Sequence, residues 1–599
     1  MTPQFVNGPS GRLFIAQHFA SAVVASEWII YLPAFAEEMN KSRSMVRAQA
    51  AAFVKAGATV IVPDLFGTGD SEGDFGDANW DVWKQDIRYL VLSARQQGAK
   101  KITLWGLRAG ALMALDLMDE GLEEVSQLIL WQPVHSGEQM LTQFLRLRMA
   151  AGMMTGEQET VAQLRERLSA GEKLEVAGYD VAPSMLSLLD QVLLKSMTFK
   201  QPLKINWLEI VASQGRGLLP VSQKLIALWQ SQDVEVYSKA VVGEPFWTTQ
   251  EITLAPDLID ETTQLIAPSL TSGISCAELP ASRLPDSDAV VHESERQEEA
   301  TEQELSSEQP FVFSCEGEEL VAVLHLPKSP EKAEKLGVLV IVGGPQYRVG
   351  SHRQFLHLAR HLAKENIPVM RFDYRGMGDA SGDLLGFENV HVDIQHAIDN
   401  FMHKVPGLDG VVLWGLCDAA SAACFYAPSD KRVAGLVILN PWVRSEAGEA
   451  KAFLKHYYLQ RLFSRQLWSK VIKGDFKISA SLASLVSMLK RSSSSEDTSV
   501  VQSEITCTVE PLKQSSTNLP EKMQSSLKAY QGPVQYIMSG NDLTAAEFDD
   551  AVKGSRSFTR LLKQKRMQRE DLKSADHTFS KREWRNKVAA WTVNWIRTL

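Results

Sequence analysis

Short apolar segments alternate with longer amphipathic segments through the C-terminal half of the chain. The apolar segments end in Gly, Pro or Asn, which is typical of buried strands followed by turns. The predicted strands are residues 338–342, 368–372, 410–414, 433–440 and 534–539. The predicted helices are residues 357–364, 390–403, 419–426 and 581–597. This alternation predicts an α/β fold, with a mostly parallel sheet and helices on both of its faces.

The pattern of the C-terminal half is repeated from the N-terminal half. The motif D-x-x-G-x-G-D-x-x-G-D begins at Asp64 and again at Asp373, which lies 309 residues later. The sequence L-W-G-L begins at Leu104 and again at Leu413, with the same spacing. Two motifs at one spacing predict two tandem copies of one fold.

The composition changes between the two copies. Residues 267–309 are rich in Glu, Ser and Pro, and such a segment buries too little apolar surface to offset its ordering entropy. We therefore predict a first domain at residues 1–266, a flexible acidic linker at 267–309 and a second domain at 310–599. A low-complexity stretch at 492–499 indicates an insert or lid within the second domain, at about 442–530.

Overall composition excludes several classes of function. The net charge of −10 over 599 residues argues against nucleic-acid binding, which needs a basic surface. Five scattered cysteines without C-x-x-C spacing predict no disulfide framework, so a reducing cytoplasm is expected. The N-terminus has no pattern of a secretory signal, and no apolar run approaches the ~20 residues of a spanning helix. We predict no cofactor and no metal.

A strand, a tight turn and a helix meet at Cys417. The sequence Gly415-Leu416-Cys417-Asp418-Ala419 has the form of a nucleophile elbow, in which the nucleophile stands on a sharp turn before a helix N-terminus. A thiolate is a competent nucleophile, and its pKa falls beside a histidine. The alternative is that Cys417 is a small buried apolar residue, as we expect for Cys424.

The remaining catalytic partners follow in the order that an α/β-hydrolase requires. Asp542 comes directly after a predicted strand, and His577 lies in a loop before the last helix. Asp576 is a rival for the acid, although adjacent side chains rarely present a carboxylate correctly to the ring. The order of Cys417, Asp542 and His577 predicts two tandem α/β-hydrolase folds, with a catalytic triad in the second.

We expect the oxyanion hole to be formed by backbone amides on two loops. The amide of Asp418 follows the nucleophile, and a second donor comes from Gly344 or Gln346, since Pro345 has no N–H. The negative side chain of Asp418 would oppose an oxyanion unless it points away.

The basic residues in the same loop, Arg348, His352 and Arg353, have two interpretations. They could receive an anionic group of the substrate, or they could form a solvated or helix-capping cluster. Arg43 occupies the matching place in the first domain.

The first domain lacks every member of this triad. Its nucleophile position holds Arg108, which stays protonated and cannot attack a carbonyl. Its only histidines, His18 and His135, both precede its last strand. Arg108 could bind an anion or form a salt bridge across a degenerate pocket. We predict a catalytically inactive hydrolase-like domain that serves packing, substrate delivery or partner binding.

The two halves resemble the two kinds of exosortase A system-associated hydrolase. The N-terminal half resembles the second kind in the segments PAFAEEMNKSR (33–43), GLRAG (106–110) and GEPFW (243–247). The C-terminal half resembles the first kind in the segments GGPQYRVGSHR (343–353), FDYRGMGD (372–379) and GLCDAA (415–420). The resemblance implies a role in bacterial exopolysaccharide systems, with contact to membrane-bound polysaccharide machinery and a small-molecule or lipid- or sugar-linked acyl substrate.

Two functions remain open from the sequence. The first is an ester or thioester hydrolase, or an acyltransferase, with a Cys-Asp-His triad. The second is a non-catalytic scaffold that uses both hydrolase folds for binding, and it is motivated by Arg108 and the absent first triad. A hyper-reactive thiol at Cys417 would distinguish the first function from the second.

Overall fold

A computed structural model describes residues 1–20, 26–155, 159–200, 202–266, 307–444 and 518–599. Most of the predicted linker and of the predicted insert lies outside the described residues. The first described strand after the linker begins at Ser307, and the first described helix after the insert begins at Leu519. The domain limits therefore stay predictions.

The first domain contains one eight-stranded sheet and a separate two-stranded hairpin, β7–β8. Its strands are β1 (Thr2–Asn7), β2 (Arg12–His18), β3 (Glu27–Leu32), β4 (Thr59–Pro63), β5 (Lys101–Leu107), β6 (Gln127–Trp131), β7 (Leu174–Val176), β8 (Tyr179–Val181), β9 (Lys204–Val211) and β10 (Glu235–Val242). Its helices are α1 (Glu37–Lys55), α2 (Trp80–Gln96), α3 (Ala109–Asp119), α4 (Gly137–Thr155), α5 (Val161–Ser169), α6 (Pro183–Leu189), α7 (Pro220–Gln230) and α8 (Pro256–Gln264).

The second domain repeats this eight-stranded sheet. Its strands are β11 (Ser307–Cys315), β12 (Glu318–Leu326), β13 (Leu336–Ile341), β14 (Val369–Phe372), β15 (Gly410–Leu416), β16 (Val433–Leu439), β17 (Val534–Ser539) and β18 (Met567–Leu572). Its helices are α9 (Gln354–Lys364), α10 (His391–Lys404), α11 (Asp418–Tyr426), α12 (Leu519–Ala529), α13 (Leu543–Gly554), α14 (Arg556–Leu562) and α15 (Arg582–Ile596).

The two sheets have the same topology. The strand orders are β1-β2-β4-β3-β5-β6-β9-β10 and β11-β12-β14-β13-β15-β16-β17-β18. In each sheet the first two strands form an antiparallel edge, and the other strands run parallel. The predicted fold class is thus confirmed as two tandem α/β-hydrolase folds. The carboxyl ends of the parallel strands meet at one edge of each sheet, where ligands of such folds bind.

Apolar residues cover both faces of each sheet. The central strands β3 and β15 are buried along their whole length, as expected for parallel strands covered by helices on both sides. In the described part of the chain, no helix combines the length and the apolar character needed to cross a bilayer.

The two domains meet through a buried network of opposite charges. The Arg43 guanidinium of the first domain contacts Asp379 of the second at 2.6 Å, and it also contacts Asp64 of its own domain at 2.8 Å. Arg348 of the second domain mirrors this arrangement. Its Nε lies 2.8 Å from Asp70 of the first domain, and its Nη1 lies 2.6 Å from Asp373. These six side chains are almost completely buried, so each charge depends on its partners.

The repeated D-x-x-G-x-G-D motif therefore forms the contact between the domains. Asp64 and Asp70 come from its first copy, and Asp373 and Asp379 come from its second. The arginines that pair with them follow the first parallel strand of each domain. Arg353 strengthens the contact, because its guanidinium donates to four carbonyl oxygens of the first copy, at Gly67, Gly69, Ser71 and Gly73.

Candidate active site at the edge of the second sheet

Cys417 stands on a strained turn between β15 and α11. Its backbone angles, φ 63° and ψ −124°, are unfavourable for a residue with a side chain. Arg108 has nearly the same angles, φ 55° and ψ −108°, between β5 and α3 of the first domain. Both domains thus keep the backbone of a nucleophile elbow, although only the second presents a side chain that can attack.

The structure brings Asp542 and His577 together beside this turn. Asp542 follows β17, and its Oδ2 lies 2.9 Å from Nδ1 of His577, which follows β18. The Asp542 carboxylate also accepts the backbone N–H groups of Thr544 and Ala545, which fixes it at the start of α13. Asp576, the rival acid, is engaged elsewhere, because its carboxylate accepts hydrogen bonds from the amide and hydroxyl of Ser580.

Asn440, which the sequence pattern did not single out, holds the loop that carries His577 (residues 573–581, the histidine loop). It lies at the end of β16 with φ 42°, and its Nδ2 donates to the carbonyl oxygen of His577 at 2.9 Å. Its Oδ1 accepts the N–H of Ser539. The first domain has Gln132 at the same place, where its side chain accepts the N–H of Ile210. The shared amide before Pro, in Gln132-Pro133 and Asn440-Pro441, was a signal available in the sequence.

The side chain of Asp418 turns towards the loop of the predicted oxyanion hole. Its Oδ2 accepts the N–H of Gly344 at 3.0 Å, and its Oδ1 accepts the N–H of Ala419 at 3.0 Å. A Cβ atom on Gly343 would lie 2.0 Å from Oδ1, so only glycine fits beside this carboxylate. The Gly344 amide predicted to bind an oxyanion is therefore already hydrogen-bonded to Asp418.

The side chain of Gln346, whose backbone N–H is the other predicted donor, contacts the first domain. Its Nε2 lies 3.4 Å from Glu37, and its Oε1 accepts from Asn40 at 3.3 Å, both in the first domain.

Electrostatics set the protonation states of this site. Partial burial, followed by the neighbouring Asp418 carboxylate, raises the pKa of the Cys417 thiol well above its ordinary value. Among the described residues, no hydrogen bond joins this thiol to His577. Burial alone would lower the pKa of His577, but Asp542 outweighs it and the pKa is raised. The imidazole is thus stabilised in its charged form, which suits a proton acceptor.

The corresponding place in the first domain is filled by a salt bridge. Arg108 contacts Glu38 at 3.2 Å, and its guanidinium lies 5.7 Å from the centre of the Trp247 ring. Trp247 follows β10, the strand equivalent to the one that precedes His577. The first domain therefore has an arginine in place of the nucleophile and a tryptophan beside it.

The basic residues of the oxyanion loop (residues 343–353) are not solvated, and Arg353 occupies the N-cap position of α9 without a side-chain cap. Arg348, His352 and Arg353 are each no more than 3% exposed, so they are not solvated. Arg348 pairs with carboxylates and Arg353 with backbone carbonyls between the domains. They are therefore not placed to receive a substrate anion. The sequence could not show this, since it does not say which surface the loop packs against.

Within the ranges that the structure describes, no group of three or more His, Cys, Asp or Glu side chains could hold a metal ion. Cys424 is fully buried on α11, and burial raises the pKa of its thiol.

The chain is similar to one characterised protein family over most of its length. A family model described as "Serine aminopeptidase, S33" matches residues 35–183 and 334–579, which together exceed half of the chain. The match falls on both domains. No curated protein matches the chain significantly.

Many solved structures match one half of the chain at low identity. An esterase from Pyrococcus furiosus, PF2001, is 12% identical, with a TM-score of 0.32, and the match covers 49% of this chain and 91% of the esterase. Est1E from Butyrivibrio proteoclasticus, solved with ferulic acid, is 12% identical, with a TM-score of 0.33, and the match covers 45% of this chain and 98% of Est1E. The esterase domain of a Rhodothermus marinus protein is 13% identical, with a TM-score of 0.30, covering 49% and 98% respectively.

Proposed function

Because the chain belongs to the hydrolase family described as serine aminopeptidase, S33, we propose that its second domain is a cysteine-dependent acyl hydrolase or acyltransferase. The proposed substrates are esters or thioesters. The observation that carries the proposal is the common location of the Cys417 elbow and the Asp542–His577 pair at the carboxyl edge of one sheet. The chain departs from a serine hydrolase in having cysteine at the nucleophile position.

The first half of the proposed reaction forms an acyl-enzyme. His577 removes the proton from the Cys417 thiol, and the sulfur attacks the substrate carbonyl carbon, so that a C–S bond forms and the C=O electron pair moves to oxygen. Collapse of this intermediate expels an alcohol or thiol, which takes the proton back from His577. Asp542, 2.9 Å from the ring, holds the imidazole and stabilises its charged form.

The second half releases the acyl group. Water or an acceptor hydroxyl loses its proton to His577 and attacks the acyl-cysteine, and the departing sulfur is protonated again. The acceptor decides whether the protein is a hydrolase or a transferase, and exclusion of water favours transfer.

We place this reaction in the biosynthesis of surface polysaccharides, in contact with membrane-bound machinery, and we propose a cytoplasmic location. The support is the resemblance of residues 33–43, 106–110 and 243–247, and of 343–353, 372–379 and 415–420, to the exosortase A system-associated hydrolases. The acyl substrate is accordingly a small molecule or an acyl group linked to a lipid or sugar.

A panel of acyl esters and acyl thioesters, each with and without an alcohol or sugar acceptor, tests the proposal. Cys417→Ala and His577→Ala should each lower turnover by about 10⁴-fold, as expected for members of a triad. Cys424→Ala is a matched control, because it removes a fully buried thiol on the same helix. Unchanged turnover in Cys417→Ala would reject the proposal.

The second candidate function is a non-catalytic scaffold. It is favoured by the hydrogen bond between Asp418 and Gly344, and by the raised pKa of the Cys417 thiol. A scaffold requires that an alkylating probe label Cys417 no faster than an ordinary exposed cysteine. It also requires that His577→Ala leave cellular function intact.

A further inference from the structure

The loop that carries Gly344, residues 343–353, is held in part by the first domain. Glu37, the first residue of α1, accepts the backbone N–H of His352 through Oε1. Asn40, one turn later, donates from Nδ2 to the carbonyl oxygen of Gly350 at 3.2 Å and to Oε1 of Gln346 at 3.3 Å. The start of α1 therefore contacts the loop at three places between residues 346 and 352.

The apolar side chains of this loop also pack against the first domain. Tyr347 and Val349 are fully buried, and they form a small cluster with Met39 of α1 that is separate from the core of the second domain. The loop therefore gains its apolar burial from the first domain. Without that domain, both side chains would lose this apolar partner.

The backbone of the loop is strained where Glu37 binds it. His352 has φ 41° and Arg353 has φ 62°, so two successive residues with side chains adopt left-handed angles. Such angles persist only where the surroundings hold them. The Glu37 carboxylate holds the amide of His352, and the Arg353 guanidinium is held by carbonyl oxygens of the first domain.

The same loop contacts the histidine loop. Nε2 of His352 lies 3.2 Å from Oγ1 of Thr578, the residue after His577. On its other side the ring packs against the β7–β8 turn of the first domain, where a Cβ on Gly178 would lie 2.5 Å from Cγ of His352. The His352 ring is thus fixed between the first domain and the residue next to His577.

We infer that the first domain, which has no nucleophile of its own, positions the oxyanion loop and the histidine loop of the second. Glu37 and Asn40 are the positioning residues. They touch neither Cys417 nor His577, and they act through the backbone of the loop that presents the Gly344 amide. The inference rests on the proposed function, because it explains how the two loops beside Cys417 are held in place.

Kinetics of the full-length protein test the inference. The double variant Glu37→Ala, Asn40→Ala should lower kcat for the best thioester at least tenfold with little change in KM. A misplaced Gly344 amide stabilises the transition state less but leaves substrate binding nearly unchanged. Glu37→Gln keeps an oxygen that can accept the His352 amide, so it should retain most of the activity. Ser44→Ala is the matched control. It removes one hydrogen bond between the domains from the same helix, to the carbonyl of Gly376, which lies outside the oxyanion loop.

Amide hydrogen exchange supplies a readout that does not depend on turnover. Peptides covering residues 343–353 should exchange faster in the double variant and unchanged in Ser44→Ala. Equal exchange in both variants, or faster exchange with unaltered kcat, would overturn the inference. A wild-type protein without Cys417-dependent turnover would reject the proposed function instead, and the exchange data would still decide whether Glu37 and Asn40 hold the loop.

Discussion

Oδ2 of Asp418 lies 3.0 Å from the backbone nitrogen of Gly344 and accepts its hydrogen bond. In the proposed reaction the same N–H would stabilise the negative oxygen of the tetrahedral intermediate. A carboxylate and an oxyanion cannot share one donor at close range, because their charges repel. The side chain next to the nucleophile therefore competes with the transition state.

Removal of this carboxylate should raise turnover. In Asp418→Ala the Gly344 amide becomes available, and we expect kcat for a simple thioester to rise by about tenfold, within the range that one oxyanion donor contributes. Steady-state kinetics against wild type measure the effect. Asp409→Ala, which removes a carboxylate on an exposed loop, should change nothing. A lower kcat in Asp418→Ala would mean that Asp418 assists the reaction.

Asp418→Asn should separate charge from hydrogen bonding. The amide oxygen can still accept the Gly344 N–H, but the charge that contributes to the raised pKa of Cys417 is gone. The thiol pKa should fall, so the thiolate fraction and the iodoacetamide alkylation rate at pH 7.5 should rise, and the rate-against-pH midpoint should move to lower pH. Mass spectrometry of the Cys417 peptide measures the rate, with the buried Cys424 as the internal reference. An unmoved midpoint would show that burial alone raises the pKa.

Arg43→Ala should destabilise the whole chain. The substitution leaves Asp64 and Asp379 buried without one of their partners, and the loss of one member of a buried ion pair costs about 3–5 kcal/mol. Urea unfolding measures the change. The free energy of unfolding of Arg43→Lys should fall between those of wild type and Arg43→Ala, since lysine keeps the charge but lacks the planar guanidinium. Arg597→Ala breaks an exposed pair with Glu365 and should cost less than about 1 kcal/mol. Similar costs for both alanine variants would contradict this assignment.

Asp86 should make stability depend on pH. Burial raises its pKa to about 7, and among the described residues the one hydrogen bond to its carboxylate comes from the amide of Phe66. The folded state therefore binds the proton more tightly than the unfolded chain, whose Asp pKa is about 3.9. This contribution is fully present below about pH 4 and is lost as pH rises through 7.

Asp86→Asn should remove this pH dependence. The variant should be more stable than wild type at pH 8, by about 2–4 kcal/mol, and nearly equal to it at pH 4.5. Urea midpoints at the two pH values give the comparison. In the second domain Asp393 pairs with Arg375 at 2.8 Å, so Asp393→Asn should be destabilising instead. A variant with the wild-type slope would show that Asp86 does not titrate in this range.

The sequence predicted the framework of the site because that framework is local. Cys417, Asp542 and His577 each follow a strand whose apolar pattern is visible in a few residues, and parallel strands end at one edge. The direction of the Asp418 side chain was not predictable. It depends on Gly343 and Gly344, which lie 74 and more residues away in the chain.

The sequence pattern also did not predict the contact between the domains. The motif beginning at Asp64 and Asp373 indicated a repeat, but a repeat does not show that its copies face each other. Arg348 and Arg353 therefore looked like candidates for substrate binding, whereas their partners are carboxylates and carbonyls of the motif itself. Pairing across such distances is set by tertiary packing.

The crossed pairing of Arg43 with Asp379, and of Arg348 with Asp70, also constrains how the chain can vary. If a charged residue is lost from one copy of the motif, a charged residue in the other copy stays buried without its partner. Tolerated changes must therefore occur as matched sets, so neither half can drift independently of the other. Covalent linkage also fixes the ratio of the two halves, so each copy of one is synthesised with one copy of the other.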